Sequence, residues 1–205
     1  NLLGDLTLNV DRIDSSNNVY DGEITFNSFA KLTVNLPGDD SWEMAGTAKF
    51  NGTFPELATN SIAGSDFEMS GVTQLNGDGG FGWSARADIS GQVVTNGADS
   101  SLALYGGSLS NPNRMTGGTI VGGGRVVISN GKALVGHGFL NVNVAGAAGE
   151  LREDDGVLTV DEPIDSIGVI GTNDTDGVLN VTLPWDTGIA GLVEMKGGSI
   201  IGDTI

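Results

Sequence analysis

A cluster of oxygen-bearing side chains lies at Asn173-Asp174-Thr175-Asp176-Gly177. Calcium loops commonly place closely spaced Asp and Asn residues ahead of a glycine, because the ion is held by carboxylate, amide and carbonyl oxygens. The segment lacks the first Asp and the terminal bidentate Glu of an EF-hand, and it is not the regular nonapeptide repeat of a calcium β-roll. We expect an ordinary acidic turn here. The alternative is a calcium site with Asn173, Asp174 and Asp176 as ligands; no other cofactor is expected.

Carboxylates and a single histidine are the residues that could support catalysis on a polysaccharide. A hydrolase would use two carboxylates at a defined separation, and the candidates are Asp39-Asp40, Glu153-Asp154-Asp155 and Asp161-Glu162. Neighbours on a strand point to opposite faces, however, and Asp favours turns. A lyase would need a base, and His137, the sole histidine, stands between two glycines. We expect structural roles and no enzymatic activity, with a polysaccharide lyase or hydrolase as the least favoured alternative.

Three aromatic residues are of a type that stacks on sugar rings. They are Phe81, Trp83 and Trp185. Because aromatic side chains mostly fill the interior of a fold, we expect these three to plug the core ends or loops. Carbohydrate stacking is the alternative.

The composition is acidic and rich in glycine. The 205 residues include 26 acidic and 9 basic ones, for a net charge of −17. Such a surface repels phosphate backbones, so no nucleic-acid partner is expected, and it attracts divalent cations. Cysteine is absent, which excludes disulfides, and no run approaches the roughly 18 apolar residues of a membrane helix. The 34 glycines follow no collagen-like period and indicate many tight turns.

Short segments with alternating apolar and polar residues recur along the chain. They are residues 6–10, 32–36, 140–144, 158–160 and 179–183. A period of two predicts strands with one buried and one wet face, and helical periodicity is missing, so the sequence predicts an all-β chain. The outward asparagines of these segments are predicted to stack into amide ladders. They are Asn9, Asn35, Asn141, Asn143 and Asn180.

Internal self-similarity decides between an antiparallel sandwich and a solenoid. Asn-Gly and Asp-Gly turns alone would suit hairpins. However, residues 115–122 (MTGGTIVG) closely match residues 195–202 (MKGGSIIG), and a shorter copy lies at 106–109. Strand motifs also recur about every 20 residues, which is typical of a β-helix coil. The sequence therefore predicts a single β-solenoid (parallel β-helix) over residues 1–205, with roughly 8–10 coils and protruding loops within about 37–83.

The two ends of the sequence predict association. Both are strand-like, and neither carries a polar cap. An uncapped solenoid exposes strand edges and apolar side chains, and head-to-tail contacts that do not close generate filaments. We expect end-to-end extension with copies of the chain or with neighbouring repeats. The expected interface contains Leu2, Leu3, Ile200, Ile201 and Ile205.

With its Gly-Gly-Ser/Thr-Ile/Leu strands and the stretch 167–181 (IGVIGTNDTDGVLNV), the chain resembles a known group. It is similar to the β-solenoid repeats of very large bacterial surface proteins, known from planctomycetes and related marine bacteria, and through them to autotransporter passengers and filamentous adhesins. The resemblance covers most of residues 86–205. It implies a right-handed parallel β-helix, export to the extracellular space or cell surface, and a structural or adhesive role, without catalytic residues.

The function expected from these features is that of a structural subunit or repeat of an extracellular fibre or surface array. The alternative is an adhesin or carbohydrate-binding stalk, whose partner would be a polysaccharide or another cell-surface ligand.

Overall fold

A computed structural model describes residues 6–9, 19–20, 23–27, 32–35, 41–51, 57–59, 66–77, 79–83, 86–185 and 190–204. These residues form nineteen β-strands and no helix. The strands are β1 (Leu6–Asn9), β2 (Val19–Tyr20), β3 (Glu23–Asn27), β4 (Leu32–Asn35), β5 (Trp42–Met44), β6 (Thr47–Asn51), β7 (Leu57–Thr59), β8 (Asp66–Met69), β9 (Val72–Asn76), β10 (Gly79–Trp83), β11 (Arg86–Ile89), β12 (Gln92–Thr95), β13 (Ser100–Leu104), β14 (Asn113–Ile128), β15 (Ala133–Val160), β16 (Ile164–Thr172), β17 (Val178–Trp185), β18 (Ala190–Met195) and β19 (Ser199–Thr204). Helices long and apolar enough to span a membrane are therefore not found in the described part of the chain.

The first thirteen strands stack on three faces, because each strand pairs in parallel with the third strand after it. Face 1 contains β2, β5, β8 and β11. Face 2 contains β3, β6, β9 and β12. Face 3 contains β1, β4, β7, β10 and β13. One circuit of the chain visits all three faces, so the strands form a parallel β-solenoid.

From β14 onwards, single long strands bend around the corners of the solenoid. β14 pairs with β11, then β12, then β13 along its length, and so covers all three faces by itself. β15 continues the stack above β14 and pairs in turn with β16 and β17, on which β18 and β19 lie. We call the connection from face 1 to face 2 the first corner, and that from face 2 to face 3 the second corner.

The core is a set of columns in which buried apolar side chains of successive coils lie in register. Met69, Ile89 and Met115 form one such column and are at most 1% exposed. Ile120 and Leu140 belong to another and are fully buried. Burial of each large apolar side chain stabilises the fold by about 1.5–3 kcal/mol. The buried apolar residues from Met44 to Ala190 form one contiguous core.

The predicted fold class is confirmed. The solenoid is all-β with parallel strands. Alternation of buried and partly exposed residues follows the predicted pattern at 140–144 and 158–160. The repeats at 115–122 and 195–202 both cross the first corner, between face-1 and face-2 strands. The right-handed sense of coiling stays a prediction.

Some expectations need correction or fall outside the described residues. The short copy at 106–109 lies between β13 and β14, so it leads from face 3 to face 1 and is not equivalent to the other two copies. Of the protruding loops expected within 37–83, residues 37–40 and 52–56 lie outside the described part. The strands of the 37–83 region, β5 to β10, keep the register of the three faces.

Candidate functional site

At the first corner, the backbones of successive coils approach each other closely. A Cβ atom added to Gly71 would overlap the carbonyl oxygen of Gly46, and one added to Gly91 would overlap that of Gly71. Gly118 likewise lies against the carbonyl of Ile89. Because backbone packs on backbone here, the corner selects glycine.

Between β15 and β17 the same corner becomes strongly acidic. We call this region the acidic corner. It contains Glu153, Asp154 and Asp155 of one coil, and Asn173, Asp174 and Asp176 of the next. The two coils are in register here, since Glu153 pairs with Thr172 and Asn173 N donates a hydrogen bond to Glu153 O at 2.9 Å.

Asp174 connects the two coils of the acidic corner. Its Oδ1 accepts a hydrogen bond from Gly177 N at 2.5 Å, within its own turn. Its Oδ2 accepts one from Asp155 N at 2.7 Å, from the coil below. Asp155 adopts a positive φ of 62°, which presents that N–H to the next coil. Asp174 thus ties two turns together through charge-assisted hydrogen bonds.

Glu153 is the fully buried residue of the acidic corner. Its side chain is 0% exposed, and its Oε1 accepts a hydrogen bond from Gly156 N at 3.0 Å. No donor among the described residues reaches its Oε2, and the buried Asn173 Oδ1 also lacks a partner. The pKa of Glu153 is raised, first because burial disfavours the carboxylate and then because of nearby carboxylates, against the lowering effect of the Gly156 hydrogen bond.

The predicted calcium ligands lie together in one turn, but with different environments. Both oxygens of Asp174 are occupied by backbone N–H groups, Asp176 is exposed, and Asn173 is half-buried. Within the described ranges, no three His, Cys, Asp or Glu side chains are gathered as a metal site. Calcium at these residues stays a prediction. Sequence reasoning missed Glu153 as their neighbour, although Asp155-Gly156 and Asp176-Gly177 repeat the same turn signal.

His137 lines a shallow polar cavity next to the acidic corner. The cavity has a volume of about 70 Å³, and its polar lining residues are Arg114, Thr116, His137, Asp154 and Asp155. Thr116 Oγ1 also donates a hydrogen bond to Asp88 Oδ1 at 3.2 Å. Ligand sites for small molecules usually measure about 300–1,000 Å³, so the cavity is too small to enclose a sugar ring. The solenoid does bring His137 close to two carboxylates, which sequence reasoning missed.

Arg152 links the coils on the outside of face 1. Its Nε donates to Glu150 Oε2 at 2.7 Å and its Nη2 to Glu194 Oε2 at 2.5 Å. Burial alone would lower the pKa of Arg152, but the two carboxylates outweigh burial and raise that pKa. The hydrogen bond from Arg152 in turn lowers the pKa of Glu194. The bridge holds β18 to the coil of β15 across β16.

The last described coil, β18 and β19, exposes apolar side chains. Val193 is 41% and Met195 is 53% exposed, whereas Ile170 and Thr172, their register partners in β16, are fully buried. Ile201 is 54% exposed. Among the described residues β18 pairs only with β16 and β19 only with β17. One backbone edge of this coil therefore has no strand partner in the described part. We call it the open edge.

The expected assembly and carbohydrate residues are only partly described. Ile200 packs against the core beside Leu179, and Ile201 lies on the open edge. Leu2, Leu3 and Ile205 lie outside the described residues. Strands place Phe81 next to Leu102, Trp83 next to Leu104, and Trp185 next to Thr204, but the side chains of these aromatics lie outside the described part, so sugar stacking stays a prediction.

The predicted amide ladders form at other asparagines. Asn141 pairs with Val121 and Asn143 with Arg125, so neither stacks on an amide of the coil below. Asn180 pairs with Thr159 and Ile201. Asn9 and Asn35 do lie in register. The ladder whose side chains are described consists of Asn51, Asn76 and Asn96 at the second corner.

Neither a family model, nor a curated protein, nor a solved structure gave a significant match to this chain. The function is therefore inferred from the geometry of the solenoid.

Proposed function

We propose that this chain is a structural module of an extracellular fibre or surface array, and that it extends by stacking coil on coil. The observation that carries the proposal is the open edge. Val193 and Met195 are about half exposed there, although Ile170 and Thr172, the equivalent positions of the coil below, are fully buried. A further coil of the same kind would cover them.

The backbone of the open edge supports the same proposal. Exposed strand edges pair readily with other strands, and proteins that do not use them usually protect them with charge, proline or a covering element. On β18 the open edge carries the exposed Leu192, Val193 and Met195, and its one charged residue, Glu194, is already paired with Arg152. Each apolar side chain that becomes fully buried would contribute about 1.5–3 kcal/mol. A repeated contact of this kind does not close, so it generates filaments.

The partner that fits best is a second copy of the chain or a neighbouring repeat with the same three faces. Strand spacing and coil shape are then matched by construction, since each coil already stacks on its like at about 4.8 Å. The net charge of −17 keeps the sides of such a fibre apart and soluble. The role is structural rather than catalytic in this proposal, and the location is the cell surface or extracellular space.

The test is to place a charge in the open edge. The purified chain is expected to form concentration-dependent linear oligomers in sedimentation velocity and electron microscopy, because separate copies stack. Val193→Asp and Ile201→Asp should each shift it to monomer. Leu109→Asp is the matched control, because Leu109 is 57% exposed but lies in the connection between β13 and β14. A wild-type chain that stays monomeric up to millimolar concentration, or a V193D variant that assembles normally, would contradict the proposal.

An adhesin or carbohydrate-binding stalk is the second candidate. The polar cavity beside His137 is the observation that favours it, since Arg114, Thr116 and two carboxylates offer both donors and acceptors. Its volume of about 70 Å³ limits it to a protruding group of a ligand, not a whole sugar. Glycan binding that is lost in Arg114→Ala, with assembly unchanged, would promote this candidate over the first.

A further inference from the structure

Two buried oxygen atoms of the acidic corner have no hydrogen-bond donor among the described residues. They are Glu153 Oε2 and Asn173 Oδ1. They belong to adjacent coils that are joined by the hydrogen bond from Asn173 N to Glu153 O. An acceptor left unsatisfied in the interior is unfavourable, and more so when it is charged. These two atoms therefore favour a positive charge between the coils.

Three backbone donors of the corner are already used. Gly156 N donates to Glu153 Oε1, and Asp155 N and Gly177 N both donate to Asp174. Ionised carboxylates only accept hydrogen bonds, so the acidic side chains cannot satisfy one another. Glu153 Oε2 therefore cannot be satisfied by the neighbouring carboxylates or by these three N–H groups.

The unpartnered oxygen of Glu153 points into the turn of the next coil, since a Cβ added to Gly177 would overlap it. The charges that act on this carboxyl come from Asp154, Asp174 and Asp176. The adjacent Arg152 directs its hydrogen bonds to Glu150 and Glu194. Negative charge is therefore concentrated around a fully buried carboxyl group.

From this arrangement we infer that the acidic corner binds one calcium ion, with Glu153 Oε2 and Asn173 Oδ1 as its protein ligands. Calcium accepts oxygen ligands in a flexible geometry and completes its shell with water, whereas magnesium demands a near-octahedral one and zinc prefers nitrogen and sulfur. Asp154, Asp174 and Asp176 supply charge around the ion. The site differs from the one expected from sequence, because Glu153 of the preceding coil replaces Asp174 and Asp176 as the acidic ligand.

The ion would act as a clamp between coils. One ligand comes from β15 and the other from the turn before β17, so binding joins two successive coils at a corner that is otherwise strained by like charge. With two side-chain ligands the affinity is that of a weak extracellular site, with a dissociation constant of about 10⁻⁴–10⁻³ M.

The experiment measures calcium binding and thermal stability of the whole chain after treatment with EGTA at neutral pH. Isothermal titration should give one ion per chain, with half-saturation at about 0.1–1 mM. At about 10 mM calcium the thermal midpoint should rise by on the order of 5 °C. Magnesium at the same concentration should produce a clearly smaller rise.

Glu153→Gln tests the assignment, because it removes the charged ligand with almost no change in shape. Calcium binding should weaken at least tenfold, and the rise in the thermal midpoint should disappear. Asp165→Asn is the matched control, since Asp165 is an exposed carboxylate on β16 outside the acidic corner; it should bind calcium as the wild type does. If E153Q does not fold, the binding isotherm of Asn173→Ala provides the same comparison.

The competing explanation is a proton on Glu153, whose hydroxyl would then donate a hydrogen bond. In that case calcium leaves the thermal midpoint of the wild type unchanged at neutral pH. This result would overturn the site, as would calcium binding that survives in both E153Q and N173A.

Discussion

Two corners of the solenoid have the same Asx-Gly turns, but the polar side chains of one satisfy each other and those of the other leave a buried carboxylate oxygen without a donor. At the second corner, Asn76 Nδ2 donates to Asn51 Oδ1 at 2.8 Å, and Asn96 Nδ2 donates to Asn76 Oδ1. At the acidic corner, carboxylates of two successive coils lie near one another instead. Both corners carry Asx-Gly dipeptides in successive coils. An amide donates and accepts, so a ladder of amides satisfies itself, whereas a ladder of carboxylates leaves acceptors without donors.

Asn113 is a buried amide that likewise satisfies itself by donating and accepting hydrogen bonds between coils. It is fully buried, yet its Oδ1 accepts from Ala87 N at 2.9 Å, and its Nδ2 donates to Gly106 O at 3.1 Å and to Ala133 O at 2.9 Å. One amide thereby joins three coils without an unsatisfied atom. Coil stacking therefore tolerates polar side chains when each of them can donate as well as accept a hydrogen bond. Where only acceptors stack, the fold requires a proton or a cation.

The largest effect is expected from converting the buried amide to a carboxylate. Asn113→Asp keeps the acceptor for Ala87 N but loses both donors, which leaves two buried carbonyls and a buried charge. We expect a loss of about 3 kcal/mol or more in unfolding free energy at neutral pH. Urea unfolding followed by circular dichroism checks this. Asn111→Asp, at an exposed position, is the control and should change stability by less than about 0.5 kcal/mol.

The acidic corner should respond in the opposite direction. Glu153→Gln, in EGTA at neutral pH, replaces the unpartnered oxygen with a group that can donate, and we expect a gain of about 1–3 kcal/mol. Urea unfolding of the two chains side by side measures it. A variant less stable than the wild type under these conditions would show that the carboxylate is satisfied in the fold.

The pH dependence of the wild type follows from the raised pKa of Glu153. Below the ordinary Glu value of about 4.3 both states are protonated, and no penalty exists. As the pH rises from there to the folded-state pKa, the unfolded chain releases its proton first, so stability falls. Unfolding free energies measured across this range in EGTA should decline for the wild type relative to E153Q. Parallel curves would argue against a buried, proton-binding Glu153.

A smaller effect is expected in the amide ladder. Asn76→Asp retains the acceptor for Asn96 but loses the donor to Asn51, and the site is partly exposed to water. We expect a loss of about 1 kcal/mol. Asn76→Ala should lose a similar amount without the added dependence on salt, which separates the missing donor from the added charge.

The smallest effect concerns a carboxylate that already has a cation partner in the next coil. Lys49 Nζ lies 2.8 Å from Glu23 Oε2, and the two side chains are 32% and 59% exposed. Lys49→Met should therefore change stability by only about 0.2–1 kcal/mol, and added salt should erase the difference. A loss as large as that of N113D would mean that burial is not what distinguishes the two carboxylate environments.

Much of the fold could be predicted from local sequence. Alternation at 140–144 and 158–160 identified strands and their buried faces correctly, because side chains of a strand alternate whatever the tertiary context. The matching segments at 115–122 and 195–202 identified a solenoid, since equivalent coil positions select equivalent residues. The turn at 173–177 was also recognised as acidic and rich in ligand oxygens.

The partners of each turn could not be predicted in the same way. Asn76 follows Asn51 by 25 residues, but Asn96 follows Asn76 by 20, so no constant spacing brings the ladder into register. Glu153 was likewise seen only as part of an acidic run, and its neighbour Asn173 comes from another coil. The expected ladder at Asn141 and Asn143 was wrong for the same reason, because Val121 and Arg125 occupy the stacked positions.

The sequence by itself determined which residues form strands, which face of each strand is buried and where the chain turns. These properties depend on neighbours within a few residues and on backbone preferences. Only the tertiary structure decided which turns stack, and therefore which corner is satisfied by amides and which holds an unpartnered carboxylate. The reason is that the register between coils depends on the length of every intervening loop and on the closest packing of the core columns, neither of which is encoded in any single segment.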